Sequence, residues 1–582
     1  MPRELIIRCL ELLVLSHVED HRDGIENGSW RGRKASETRY VGLQAGIREL
    51  ARLSRVCREW QNYVFDGQLW QTLDAGSFPE ITESALVRIA RASGPFVKRL
   101  DLRGLSRLSS SILFAIVDAH STPSAKEDPT GDDRPHLGQG ATLSSDRCLT
   151  SLIELDLESC SSVSSECLNQ VLSRSPNLKK ICLRNLTSVT NETCRILGRR
   201  APGIEYIDVS RCPNVDGSGL LQLSPAKQAR HDQTPEEALF SPLKELHAVA
   251  LKGADAEFMA SLGPAFPSLE VLDLSYSSDL TDRAIAAFTS IRGDISQEMG
   301  AFVELSSQQA GFDGQEPIYR RVFRLRKLAF SSCSHLTDRA CTYLAHSVPY
   351  LEVLELANLG PHLRDQGLVR LLSTTPSIAR LDLEGATEIR DNLISSLTPA
   401  GGSDQRVNSD CSSPYASDQP GSKLTHLIIS SASHVSAAAL LLLVQHCPSL
   451  VHLEADDTPA GDQLAREFVK LSRQRKAREA YLSLIDCRGL TRGTCSELNS
   501  SSAVRPRDGK RGYEFQRFLY DDAEEAGVTS TSAGGFAGGL DECNPSRVIL
   551  KSFWGWQNVD NRLRAIRKAE MKAGKRRKSG GN

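Results

Sequence analysis

One feature constrains this chain more than any other: it repeats itself. Pro176-Asn177-Leu178 opens one unit and Pro202-Gly203-Ile204 opens the next, 26 residues on. Ser241-Pro242-Leu243 and Pro267-Ser268-Leu269 are again 26 apart, as are Leu325 and Leu351, and Leu424 and Leu450. Each unit begins with text such as Leu152-Ile153-Glu154-Leu155-Asp156-Leu157-Glu158-Ser159-Cys160. The text drifts to NLKKICLRNL, GIEYIDVSRC, SLEVLDLSYS, RLRKLAFSSC, YLEVLELANL and SIARLDLEGA. About twelve units run from near Val97 to near Glu479. A period of roughly 20–29 residues is the length of one strand and one helix.

The L-x-L core alternates with period two, which predicts a short strand with one buried face. A turn follows, often with Thr and Asp, as in Leu280-Thr281-Asp282 and Leu336-Thr337-Asp338, and either residue can cap the next helix. The helix carries apolar residues at i, i+3 and i+4, as in Ala340, Tyr343 and Leu344. One such unit cannot bury both its faces alone. Stacking is therefore required, and it predicts an α/β solenoid, curved, with parallel strands inside and helices outside.

The cysteines fit the same register. Cys160, Cys212, Cys333 and Cys487 each fall three residues after the last apolar strand position. There a small, weakly polar side chain turns into the core and can meet backbone groups. Cys167, Cys194, Cys341 and Cys495 lie seven or eight residues later, inside the helix. These thiols read as core packing. The fifteen cysteines are odd in number and contain no C-x-x-C pair, so neither a disulfide framework nor a common zinc site is expected. No metal and no cofactor is expected.

This region resembles the cysteine-containing subclass of leucine-rich repeats, with its L-x-x-L-x-L-x-x-C and L-T-D signatures. The solenoid is expected over residues 76–500. Polar segments at about 120–148, 224–239, 292–320 and 401–422 fall between a helix and the next strand, and are expected to be disordered insertions.

Residues 1–75 follow a different logic. Leu5, Ile6, Cys9, Leu10 and Leu13 predict one broad apolar face on an N-terminal helix. The segments MPRELI, ELARLSRVCREW and QLWQTL then resemble the F-box, whose pattern is L-P-x-E-[IL]-[IL], D-L-x-x-L-x-x-V-C-R-x-W and L-W. Met1 stands where that pattern has Leu, and a polar insertion, Ser16–Val41, separates the first segment from the rest. The resemblance implies a small helical domain that binds the Skp adaptor subunit of ubiquitin ligases and, through it, cullin and RING subunits. It makes Pro2, Leu5, Ile6, Leu10, Leu53, Val56, Cys57 and Trp60 candidates for adaptor contact or for the domain's own core.

Residues 501–582 are expected to hold a C-terminal cap, a Gly/Ser linker and a basic tail. The aromatic stretch Val548–Trp556 suits either a strand covering the open end of the solenoid or a partner-docking motif. The cluster Lys572, Lys575, Arg576, Arg577 and Lys578 suits either a nuclear localisation signal or a solvated tail.

No phosphate loop, H-E-x-x-H or G-x-S-x-G occurs, and the net charge of −2 points to neither nucleic acid nor membrane. The expected function is non-catalytic: a substrate receptor that binds a protein target on the inner face of its repeats, in the cytoplasm and/or nucleus. A protein-interaction scaffold outside any ligase is the alternative. On the inner face, Asp101, Asp156, Asp208, Asp273 and Asp382 share one repeat position and so point to a structural preference. Arg99, Arg103, Lys180, Arg184 and Tyr206 vary more and are the expected target-binding residues.

Overall fold

The computed structural model describes residues 2–26, 41–123 (without 77, 79 and 80), 148–224, 241–291, 301–399 (without 314) and 420–491 (without 476, 478 and 479), with 493, 494, 498, 514–519 and 547–553. The chain forms two compact units, Met1–Gly24 with Ser36–His335, and Ile25–Ala35 with Leu336–Asn582.

The first unit opens with helices α1 (Arg3–Glu26), α2 (Leu43–Leu53) and α3 (Arg58–Val64). Helix α1 buries Ile7 and Leu10, and half-buries Val14, His17 and His21, a stripe at alternating three- and four-residue steps. That stripe corrects two expectations. The buried face of α1 is not the one through Leu5 and Cys9, which are exposed. The stretch from Ser16 is helical through Glu26: half-buried His17 and His21 prolong the stripe, and His21 lies against Gly42, the residue that caps α2. A Cβ on Gly46 of α2 would sit 3.0 Å from Val14, so the absence of a side chain lets the two helices touch. The remainder of the Ser16–Val41 segment, 27–40, lies outside the described residues.

Strands β1 (Thr72–Asp74) and β2 (Arg99–Asp101) start the sheet. A small antiparallel pair, β3 (Ser121–Pro123) with β4 (Cys148–Thr150), brackets the polar segment 124–147. The sheet resumes with β5 (Glu154–Asp156), β6 (Lys180–Cys182), β7 (Tyr206–Asp208), β8 (Glu245–His247) and β9 (Val271–Asp273). All of these sheet strands pair in parallel, with equivalent residues side by side. In each strand the middle residue is buried, as in Leu100, Leu155 and Ile181, and its neighbours are more open except Asp208 of β7, which is fully buried.

The segment 292–320 was expected to be disordered, yet strands β10 (Phe302–Leu305) and β11 (Ile318–Arg321) form an antiparallel hairpin. Its arginines, which make the text look like loop, serve the backbone. Arg320 donates to the Ala310 carbonyl at 2.9 Å and Arg321 to that of Phe288 at 3.4 Å. Phe323 stacks on Phe288 with centroids 4.1 Å apart, anchoring the hairpin's exit. Strand β12 (Lys327–Ala329) then pairs with β9.

In the second unit the parallel order is β13 (Val353–Glu355), β14 (Arg380–Asp382), β15 (His426–Ile428), β16 (His452–Glu454) and β17 (Ala480–Ile485). Strand β18 (Glu514–Leu519) pairs antiparallel with β19 (Arg547–Phe553), and β19 extends the sheet beyond β17. Val548 and Leu550 are fully buried, so this strand covers apolar surface that the repeats leave open. Trp554, Trp556, the Gly/Ser-rich stretch and the basic cluster lie outside the described residues.

A shared turn and two ladders of cross-repeat bonds shape and stack the repeats. The recurrent aspartate accepts the backbone N–H two residues on: Asp101 from Arg103 at 3.1 Å, Asp156 from Glu158 at 3.0 Å, Asp208 from Ser210 at 2.9 Å, Asp273 from Ser275 at 3.0 Å and Asp382 from Glu384 at 3.1 Å. This turn is a side-chain copy of a backbone turn. Its next residue is left-handed, as at Ser159 (φ 62°), Tyr276 (φ 62°) and Asn358 (φ 58°); Gly104 and Gly385, both at φ 75°, take the place without the Cβ clash. The following position turns inward. There Cys160, Cys212 and Cys487 donate S–H to the preceding repeat's carbonyls of Leu102, Leu183 and Ala455 at 3.1, 3.1 and 3.0 Å.

Helix starts add a second ladder. Thr281 and Thr337 are N-caps, and the residue after the cap reaches into the next repeat. Asp338 accepts from Gly367 N–H at 2.7 Å, Asp365 from Arg390 at 2.9 Å, Asp391 from Ser436 at 2.6 Å and Asp462 from Thr491 at 2.6 Å. The architecture is therefore a leucine-rich-repeat fold preceded by a small helical module. No described helix is long and apolar enough to cross a membrane.

Candidate adaptor and target surfaces

The helical module presents apolar groups to solvent. Leu5 is 54% exposed, Val56 65% and Trp60 38%; Pro2 and Cys57 are exposed too, and Ile6 and Leu53 are half-buried. Exposed apolar groups gathered on one small module mark an interaction surface more often than scattered single ones do. Leu10 is the exception among the eight candidates. At 4% exposure it belongs to the core and is unavailable to a partner.

The module's frame is fixed by polar contacts. Arg3 of α1 grips Asp66, just past α3, with Nε and Nη2 at 3.0 and 2.7 Å. Trp70 donates its indole N–H to the Val64 carbonyl at 2.7 Å and stacks on Phe65 at 6.5 Å. Leu5 and Trp60 thus sit on helices tied by these contacts, Val56 and Cys57 in the turn between α2 and α3, and Pro2 just before α1.

On the outward face of the first unit's sheet, the structure puts Arg99, Lys180 and Tyr206 in one row with Glu154 and Glu245. Arg99 Nε lies 3.3 Å from Glu154. Tyr206 is half-buried and its ring meets that of His247 at a 42° tilt, centroids 5.4 Å apart. Burial and the Asp208 carboxylate push its phenol pKa up. Lys180 is exposed.

Arg103 and Arg184 sit four residues after the first position and are engaged at home. Arg103 pairs with Asp101 at 2.5 Å. Arg184 binds the fully buried Asp208 through Nε at 3.1 Å and Nη2 at 2.7 Å, with Glu158 at 3.8 Å. Asp156, Glu158 and Cys182 bring three donor atoms within 4.8 Å of one another. Arg103 and Arg184 already supply positive charge beside them, and the thiol is held protonated. Burial, then the carboxylates of Asp156, Asp208 and Glu158, push Cys182 up to about 12.

The second unit shows an element the repeat text only half disclosed. His426 and His452 occupy matching positions and stack at 5.0 Å; Tyr481 continues the column at 4.4 Å and 12° from His452. Arg380 is the next residue in the same row. Thr425 Oγ1 lies 2.9 Å from His426 Nδ1, and His452 Nε2 lies 2.7 Å from Glu454. Tyr481 escaped notice in the sequence because its unit is degraded, so its register could not be read without the fold.

Comparison with known proteins adds the following. The F-box-like family model matches residues 43–75, so an F-box-like domain spans α2, α3 and β1. The match does not include the MPRELI segment on α1. Among solved structures, the complex of Rad7 and Elc1 in yeast is similar at a TM-score of 0.43 and 15% identity, over 78% of this chain and 95% of that chain. The leucine-rich repeat-containing protein LegL7 from Legionella pneumophila is similar at a TM-score of 0.27 and 14% identity, over 53% of this chain and 80% of that chain.

Proposed function

We propose that this chain is a non-catalytic substrate receptor of a Skp–cullin–F-box ubiquitin ligase. The observation that carries the reading is the F-box-like domain at residues 43–75, whose Val56 and Trp60 are exposed, as is Leu5 of α1. In this reading Pro2, Leu5, Ile6, Leu53, Val56, Cys57 and Trp60 contact the Skp adaptor, through which cullin and RING subunits assemble. The outward sheet face holds a protein target by residues such as Arg99, Lys180 and Tyr206. Holding both turns a slow encounter into a transfer at high effective concentration. The chemistry belongs to the partner subunits.

The test is affinity purification of the full-length protein beside a Leu5→Asp, Trp60→Ala double variant, probed for the adaptor and cullin. Both substitutions fall on exposed residues, so circular dichroism should report unchanged helix content. Co-purification with the parent and loss with the variant supports the receptor reading. A folded parent that brings down no adaptor overturns it and leaves an interaction scaffold.

A further inference from the structure

The sheet face of the second unit is acidic along one side. Glu355, Asp382, Glu384, Glu454 and Asp456 all project from it, on β13, β14 and β16 or just beyond. They lie close enough to repel. Burial and the carboxylates of Asp382, Glu454 and Asp456 push the Glu384 pKa up, and burial with Glu355 and Glu454 does the same to Asp382. In the first unit the equivalent carboxylates are matched by Arg103 and Arg184. Beside the second unit's acids stands the stacked column His426–His452–Tyr481, in which His452 Nε2 lies 2.7 Å from Glu454.

The chain itself carries the complementary charge. Residues 554–582 hold nine Lys and Arg against two acids, Asp560 and Glu570. The point of departure matters. Strand β19 ends at Phe553, which pairs with Ile485 of β17. Since Glu454 pairs with Ser483, the Ile485 row is also the Asp456 row, and it leads on to Glu384. Segment 554–582 thus leaves the fold at the acidic end of the sheet. At about 4.8 Å per strand, Asp456 is two strands away (about 10 Å) and Glu384 four (about 19 Å). The nineteen residues from Trp554 to Lys572 span up to about 60 Å when extended.

We propose that the basic segment 554–582 docks on the acidic sheet face of the second unit, alongside the His426–His452–Tyr481 column. Docked there, it competes with any target for that face, and a target must displace it or bind with it. The proposal stands whether or not the helical module holds an adaptor.

The test uses full-length protein and a zero-length carbodiimide, which joins a lysine amine to a carboxylate only in direct contact. Peptide mapping of the monomer band should find Lys572, Lys575 or Lys578 joined to Glu384, Glu454 or Asp456. The yield should not change on tenfold dilution, and should fall severalfold in about 1 M salt, where the screening length shrinks to about 3 Å. A variant with Lys572, Lys575, Arg576, Arg577 and Lys578 all changed to Glu should abolish these links, and Glu384→Lys should reduce them. Three results overturn the proposal: links spread equally over acids of both units, yields that scale with concentration (a second copy is then the occupant), or no links from folded protein.

Discussion

Cys182 offers a sharp test of the reading that the repeat thiols are packing groups. It is only partly covered, so a small reagent can reach it, yet its pKa is pushed from 9.0 up to about 12. At pH 8 a three-unit rise lowers the thiolate fraction about a thousandfold. A more basic thiolate is also more nucleophilic; with a Brønsted slope of about 0.4–0.5, three units return a factor of about 20. The net expectation is thiol–disulfide exchange about 50-fold slower in the folded protein than in urea. The assay is pseudo-first-order labelling with a pyridyl disulfide, with sites assigned by mass spectrometry. Asp156 is the foremost of the charges that raise this pKa and itself hydrogen bonds with Cys182, so Asp156→Asn should speed Cys182 and leave the exposed Cys9 unchanged. Equal folded and unfolded rates, or no response to Asp156→Asn, would refute the electrostatic argument. Cys160, Cys212 and Cys333 are fully enclosed and raised to about 12, 11 and 11, so they should label only through opening of the repeats.

Four further outcomes follow from the geometry. Leu381→Ala empties a fully buried strand position and should cost about 2–5 kcal/mol in urea unfolding, whereas Arg380→Ala beside it, on an exposed residue, should change stability by less than about 0.5 kcal/mol. Asp208→Ala should cost about 1–3 kcal/mol by stranding the Ser210 N–H; Asp208→Asn, which keeps that acceptor, should recover most of it, because the half-exposed Arg184 can return to water. Burial, then His452 and Arg380, lowers the His426 pKa, so the unfolded chain binds that proton more readily. Stability should therefore fall as pH drops below the ordinary imidazole value of about 6.5, and His426→Gln should flatten the fall measured by urea midpoints. Asp382 and Glu384 act in the opposite sense at lower pH: their raised pKa values mean the folded state takes up protons first, so Glu384→Gln should stabilise at pH 7 and not at pH 4.

The repeat was legible because every unit must solve the same problem. A strand with one buried residue, a turn with an aspartate and a left-handed residue, and a small inward group recur at fixed offsets, so the pattern is written many times over. The recurrent aspartates each hold their own turn, which is the structural preference their shared repeat position implies. What composition hid was structure built once. The hairpin at 302–321 looks like loop because its polar residues are read as solvated, while Arg320 and Arg321 are 2% and 6% exposed and bind carbonyls. Helix α1 runs on past its apolar stretch, with His17 and His21, polar in any scale, half-buried and His21 against Gly42 at the start of α2.

The candidate surfaces were legible in type and less so in residue. Variation along the strands marked Arg103 and Arg184 as target contacts, on the argument that what does not recur is free to specialise. The structure supplies a competing demand. Each of these arginines neutralises a carboxylate that the turn itself requires, Asp101 for one and the buried Asp208 for the other. A side chain so engaged must give up a charge-assisted hydrogen bond before it can serve a target, whereas Lys180 has no such tie among the described residues. The same logic explains why the second unit differs. Its aspartate turn at Asp382 is kept, but Glu384 stands where Arg103 and Arg184 stand, so a carboxylate takes the place of the arginine that pairs with Asp101. Substituting Glu384 with Arg should restore the first unit's pairing pattern, return the Asp382 carboxyl toward its ordinary value, and remove whatever that face binds by charge. A titration in which Asp382 keeps its raised pKa in that variant would show that burial alone sets it, and the charge pattern would then be a consequence of the turn with no part in recognition.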